Sequence, residues 1–223
     1  MISLLCPTRH RRELFKRMVN SAVETADGII EVVCYVDEDD NSYDDLGLNV
    51  KIITGKRDYK HMWDICSKHA TGDIMGLLGD DVIFRTQGWD SLIEAEFKKY
   101  KDKILLVFGR DGNEAARDKP YGTHPFLHRR WVETVGYFTP PYFSADMVDT
   151  WLNDVAEILD RSVFIPEIYM EHMHVGFGKG KLDDVYQDKA DKHRQDNPGP
   201  LYYTSEMAQL RSKDAEKLKK VML

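Results

Sequence analysis

Cysteine is scarce in this chain: Cys6, Cys34 and Cys66 are the only three in 223 residues. An odd number in apolar or helical contexts excludes a disulfide framework and predicts reduced thiols in a cytoplasm, buried rather than catalytic. Long hydrophobic runs are missing as well. The apolar opening Ile2-Ser3-Leu4-Leu5-Cys6 meets Arg9-His10-Arg11-Arg12 too soon for a signal peptide, and no later run is long enough to span a bilayer. Positive charge is not in excess: 31 Lys and Arg against 38 Asp and Glu leave a formal net charge of -7. A polyanion would therefore need a local basic patch. Two phosphate signatures are absent too, Gly-x-Gly-x-x-Gly after the first apolar run and Gly-x-x-x-x-Gly-Lys anywhere, which disfavours a dinucleotide dehydrogenase or a P-loop phosphotransferase.

What remains, with 42% hydrophobic residues, is enough to bury the core of one enzyme-sized domain with a short appendage. Short apolar runs alternate with amphipathic ones. Ile2–Cys6, Ile30–Val36, Val50–Ile53, the run after Thr71 that ends at Asp80, and Ile104–Phe108 read as strands. Between them Leu14, Phe15, Met18, Val19 and Val23, then Tyr59–His69 and Trp89–Tyr100, carry helical spacing. Strands alternating with helices predict right-handed crossovers and an α/β fold with a mostly parallel, Rossmann-like sheet over Met1 to about Val107. Gly109–Thr123 reads as a surface loop long enough to close over a ligand. Pro125–His128 and Gly136–Phe138 read as short strands, Asp146–Leu159 as a helix, Val163–Pro166 and Ile168–Met170 as extended pieces, and Ser205–Val221 as a terminal helix.

In an open α/β sheet, ligands gather beyond the carboxyl ends of the strands. Strand one leads into Pro7-Thr8-Arg9, strand two into Asp37-Glu38-Asp39-Asp40, and the fourth into Asp80-Asp81. Two adjacent carboxylates repel, so a site keeps them where a divalent cation or paired donors neutralise them; a plain Gly-Asp-Asp turn is the competing reading. A hydroxyl and a carboxylate at neighbouring strand ends suit the base edge and ribose of a nucleotide, and a metal beside them would hold a diphosphate. For Asp37 to Asp40 the alternative is a solvated acidic turn.

Pro7-Thr8-Arg9, Tyr35-Val36-Asp37, Gly72-Asp73-Ile74 leading to Gly79-Asp80-Asp81, and a later His form an ordered set. This set resembles the nucleotide-sugar-dependent glycosyltransferases of the GT-A fold, family-2-like and nearest to bacteriophage-encoded members, over roughly Met1 to Lys181. The resemblance implies a GT-A domain over residues 1–181, with a nucleotide half (1–107) and an acceptor and metal half (108–181), then a loop and helix over 182–223. It implies Asp81 as metal ligand, Asp80 turned to the ribose or base, and Asp37 as the reader of a uracil-type base. Thr8 lines the nucleotide, and Pro7, Arg9, Asp39 and Arg57 belong with it to the donor site. The pair here has no residue between its two acids.

Glu171-His172-Met173-His174 follows an extended piece, and period-two alternation puts both imidazoles on one face, a source of one further ligand for Mn²⁺ or Mg²⁺. Lys179 and Lys181, on a Gly-rich loop, could close on the diphosphate or be plain surface lysines. Asp146 stands where inverting family-2 enzymes carry a general base, with Ala145 in place of the usual preceding acid; an N-cap is the alternative. The resulting expectation is a metal-dependent, inverting transfer of sugar from a UDP-sugar to a hydroxyl acceptor. A sugar nucleotidyltransferase and a non-catalytic nucleotide-sugar-binding accessory protein are the rivals. Phage likeness suggests modified DNA in a host cytoplasm as acceptor, with Arg129, Arg130 and the Lys-rich tail on phosphates.

Overall fold

The apolar runs of the first half lie side by side as four parallel strands: β1 (Ile2–Leu5), β2 (Ile30–Asp37), β3 (Lys51–Gly55) and β4 (Ile74–Leu77). The computed structural model describes residues 1–114, 118–144 and 146–223, so part of the expected Gly109–Thr123 loop and Ala145 lie outside the described residues. Four more strands, β5 (Val82–Phe84), β6 (Leu106–Arg110), β7 (Phe126–His128) and β8 (Ser162–His172), extend the sheet in the order β3-β2-β1-β4-β7-β6-β8-β5. β7 runs against β4 and β6, and β5 against β8, while β8 is parallel to β6. The expected mostly parallel α/β sheet is what forms.

Strand alternation divides the core between two faces. Leu4, Cys6, Val32, Cys34 and Ile74 point to one side, where α1 (Arg12–Thr25) and α3 (Trp89–Lys99) bury Phe15, Met18, Val19, Ala22, Trp89, Ile93 and Phe97. Leu5, Val33, Tyr35, Met75 and Leu77 point to the other. There α2 (Met62–His69), α4 (Arg129–Val135), α5 (Val148–Ile158) and α8 (Ser205–Lys219) supply Cys66, Trp131, Trp151, Val155, Met207, Ala215 and Leu218. All three cysteines are buried and free, as composition predicts.

The departures from expectation are β5, a strand just after Asp81 that the sequence did not suggest, and several in the second half. Gly136–Phe138 is not a strand: Gly136, at φ 102°, ends α4, and the Phe138 N–H donates to the buried carboxylate of Asp64. The two extended pieces around Pro166 are one strand, β8. Its register against β6 slips between Phe108 and Arg110, which accommodates a proline that cannot donate to a ladder. Residues after Lys181, read as loop, fold into α6 (Asp184–Asp196) and α7 (Pro198–Tyr202) before α8.

Candidate active site

The ends of β1, β2 and β4 open on one cavity of about 290 Å³, lined among others by Thr8, Arg9, Asp37, Arg57, Asp80, Asp81, His124, Asp146, His172 and Tyr186. Parallel strands deliver Thr8 beside Val36 and place the Thr8 hydroxyl 2.6 Å from Asp80 Oδ2. Because that hydroxyl donates to Asp80, the Tyr43 hydroxyl 2.8 Å away is left to donate to Thr8. Arg11 completes the shell, its Nη1 3.3 Å from Asp80 Oδ1. At the end of β2, Asp37 accepts from both Arg9 and Arg57, with the Arg57 Nε at 3.2 Å. Asp39 stands outside, exposed and 3.5 Å from Arg9.

Adjacent carboxylates take opposite characters here. Burial pushes Asp80 up to about 6, an effect that Arg11 opposes and Asp81 reinforces. For Asp81 burial also raises, but the His172 imidazole and the Tyr186 hydroxyl outweigh it and hold the carboxyl well below the usual range. Asp81 is therefore the ionised member. Its side chain folds back over Gly79, where an added Cβ would lie 2.8 Å from Asp81 Oδ1.

β8 brings His172 to this carboxylate by pairing His172 with Val82, the residue after Asp81. His172 Nε2 lies 3.4 Å from Asp81 Oδ1. That is long for a formed hydrogen bond and near the separation, roughly 3 Å, of neighbouring ligand atoms on a small divalent cation. The His172 and His174 rings do share a face, centroids 5.1 Å apart. His174, however, uses Nδ1 to accept the Gly176 N–H at 3.0 Å, and its ring packs against Phe177 and Tyr186. Among the described residues no three His, Cys, Asp or Glu side chains already converge as a cation cage. The donors nevertheless suit a divalent ion: an ionised carboxylate and an imidazole at ligand spacing.

Several cavity residues, among them Arg11, Tyr186 and His124, have no counterpart in the sequence-predicted site. His124, on the segment before β7, is 5% exposed, and its ring centroid is 4.7 Å from that of His172. Burial and His172 push it down to about 3, so the ring is neutral. Nothing flanking a single His in Thr-His-Pro signals a site.

The other wall comes from α6. Asp183, its N-cap, pairs with Arg11 through both oxygens at 2.6 and 2.7 Å, and Arg11 also lies over the Tyr186 ring. The Tyr186 hydroxyl donates to Asp81 Oδ2 at 2.6 Å. Asp188 pairs with Arg57 at 3.1 Å, and Lys189 and His193 reach Asp146 at 3.2 and 2.6 Å. Asp146 does not cap α5: the N-cap position belongs to Met147, with no side-chain cap bond. Nearby Asp149 also lines the cavity; burial raises it, against the Thr150 N–H. Lys179 pairs with Glu171 at 2.9 Å, Lys181 is exposed, and neither lines the cavity. Arg129 and Arg130, expected on phosphates, donate to backbone carbonyls: Arg129 to Ala70 and Gly72, Arg130 to Val221.

No family model matches this chain. No curated protein matches it either. Solved structures do. A mannosyltransferase from Pyrobaculum calidifontis in complex with GDP-Man and Mn²⁺ superposes with a TM-score of 0.63 at 13% identity, covering 99% of this chain and 73% of that one. S. aureus TarS 1-349 in complex with UDP gives 0.56 at 14% identity, over 99% and 89%. Glucosyl-3-phosphoglycerate synthase from Mycobacterium tuberculosis, with Mn²⁺, UDP and glucosyl-3-phosphoglycerate, gives 0.58 at 15% identity, over 85% and 75%. At such identities the likeness concerns architecture, and the architecture is the GT-A fold of these glycosyltransferases.

Proposed function

We propose that this chain is a metal-dependent glycosyltransferase that moves a sugar from a nucleoside diphosphate sugar, a UDP-sugar in the first instance, to a hydroxyl acceptor. The observation that carries the reading is the division of labour at the end of β4. Asp80 is enclosed by Thr8 and Arg11, while Asp81 stays ionised beside His172 at ligand spacing. In this reading Asp81 and His172 hold Mn²⁺ or Mg²⁺, which when bound would neutralise charge on the departing diphosphate. Thr8, Asp37 and Asp80 form the nucleoside end, with Arg9 and Arg57 fixing the Asp37 carboxylate and Pro7 shaping the turn. In this reading Arg11 and Arg57, paired with Asp183 and Asp188, are the cations that meet the diphosphate. The architecture shared with structures that contain GDP-Man, UDP and Mn²⁺ supports the donor class.

Asp146 takes the acceptor proton in an inverting displacement, positioned at the cavity by the turn into α5. Asp149 offers a second reading, because burial raises it while Asp146 is engaged by Lys189 and His193. The acceptor is written as a hydroxyl without naming DNA: Arg129 and Arg130 are engaged with backbone carbonyls, and the net charge is -7. The test is a mass-spectrometric screen of UDP- and GDP-sugars with and without Mn²⁺, scoring nucleoside diphosphate release and sugar added to carbohydrate or DNA acceptors. Mn²⁺-dependent release that stops with chelator is expected. Pyrophosphate as the product, or release unaffected by chelator, would overturn the reading.

A further inference from the structure

We propose that His124 is a third protein ligand of the divalent cation, completing with Asp81 and His172 a face of two imidazoles and one carboxylate; this rests on the metal-dependent reading above. His124 is 5% exposed, and neither ring nitrogen makes a hydrogen bond of good geometry, the Leu77 backbone being its one loose polar neighbour. Buried polar groups are paired in the great majority of cases, so an imidazole left this way on a cavity wall is unusual. A Cβ added to Gly79 would lie 2.8 Å from Asp81 Oδ1 and 3.9 Å from His124 Cε1, so the missing side chain leaves carboxylate and imidazole bordering one small space. His172 Nε2 reaches the same Asp81 oxygen at 3.4 Å, and the two histidine rings meet edge to face. Asp81, His172 and His124 thus border one region of the cavity.

A neutral imidazole is the ligating form, and imidazole with carboxylate is a donor set that first-row divalent ions accept. Three protein ligands would leave room on such an ion for diphosphate oxygens and water. His174, the alternative by sequence spacing, accepts the Gly176 N–H through Nδ1 to cap the turn over Val175–Phe177 and packs on Tyr186. The described side chains do not yet converge to bonding distance, and the Tyr186 hydroxyl occupies Asp81 Oδ2. Closing the face needs that hydroxyl to yield and the three side chains to draw together.

The experiment counts imidazoles on the metal. In the protein loaded with Co²⁺ and UDP, each coordinated histidine gives a paramagnetically shifted exchangeable N–H resonance. Two are expected in the parent, two in His174→Gln, and one in His124→Gln. Mn²⁺ titrated in the presence of UDP should bind His124→Gln about tenfold or more weakly than the parent, the lower end of what losing even an outer partner costs. A single resonance in the parent, or loss of one in His174→Gln, would overturn the assignment, and neither outcome depends on His124→Gln folding. Full Mn²⁺ affinity in a folded His124→Gln would overturn it as well. A parent that binds neither Mn²⁺ nor Co²⁺ with UDP present would instead sink the metal-dependent reading itself.

Discussion

The cavity has two walls built in different ways. The wall formed by the ends of β1, β2 and β4 is held by contacts between strand-end residues far apart in sequence, such as Thr8 with Asp80 and Arg9 with Asp37, on a sheet whose core is buried on both faces. The α6 wall buries none of its own residues and touches the site through polar tips: Asp183, Tyr186, Asp188, Lys189 and His193. The first wall is preorganised. The second is held through Arg11, Arg57 and Asp81, the groups that donor and cation engage in the proposed reading, in which ligand and helix would compete for them.

If the strand-end wall carries the chemistry, its loss should give the largest effect. Asp81→Asn should lower Mn²⁺-dependent release of nucleoside diphosphate by about 10²–10³, the scale of removing one strong stabiliser of developing charge. Activity within a few fold of the parent in a steady-state assay would mean that the cation sits elsewhere. Next in size is the base, where the two readings separate. Asp146→Asn and Asp149→Asn should be compared for transfer and for nucleotide binding; the true base should cost about a hundredfold in transfer with donor affinity unchanged. If both variants transfer normally, neither carboxylate is a base, and a route that needs none becomes the better account.

The two walls also differ in how much of them could be read in the sequence. β1 to β4 are apolar runs ending in polar turns, and α1 shows Phe15, Met18, Val19 and Ala22 at helical spacing, so the sheet edge with Thr8, Asp37, Asp80 and Asp81 was legible. α1 faces inward through Ala22 rather than the exposed Val23, a small rotation of the same stripe. α6 was illegible because it has no apolar stripe: its helical state rests on the Asp183 cap and on polar contacts with the site. α4 is seven residues long with Trp131 and Val135 as its only buried pair, too little periodicity to declare a helix. His124 could not be found by spacing, since its cavity neighbours Asp81 and His172 come from the turn between β4 and β5 and from the end of β8, which only the folded sheet brings together.

A smaller effect tests the proton assignment within the carboxylate pair. The folded protein keeps a proton on Asp80 up to about pH 6, whereas an ordinary aspartate loses it near 4, so the native state binds more protons in that window. The slope of stability against pH follows protons bound unfolded minus protons bound folded, which is negative for this group; stability falls as pH rises from about 4 to 6. Asp81, shifted the other way, has its own window below about 4. Denaturant titrations of the parent and Asp80→Asn should therefore differ in slope between pH 4 and 6. The variant should escape a loss of about 2 to 3 kcal/mol, an upper bound for a group so closely coupled to Arg11. Parallel profiles would place the retained proton elsewhere.

The smallest expected effect concerns the α6 wall and asks whether helix and cation compete. The Tyr186 hydroxyl donates to Asp81 Oδ2 at 2.6 Å, a charge-assisted bond worth about 1.5 to 3 kcal/mol at most, and less where solvent can take its place. Tyr186→Phe removes that bond and keeps the ring beneath Arg11 and beside His174. If the hydroxyl must leave Asp81 before a cation enters, the variant should melt earlier but bind Mn²⁺ several-fold more tightly, because the competitor is gone while the carboxylate remains. Calorimetric titration with Mn²⁺ and UDP, run beside thermal denaturation, reads both quantities. Weaker Mn²⁺ binding would instead make Tyr186 a partner of the loaded site, with α6 staying closed over the donor, and the distinction between a fixed wall and a competing one would be lost.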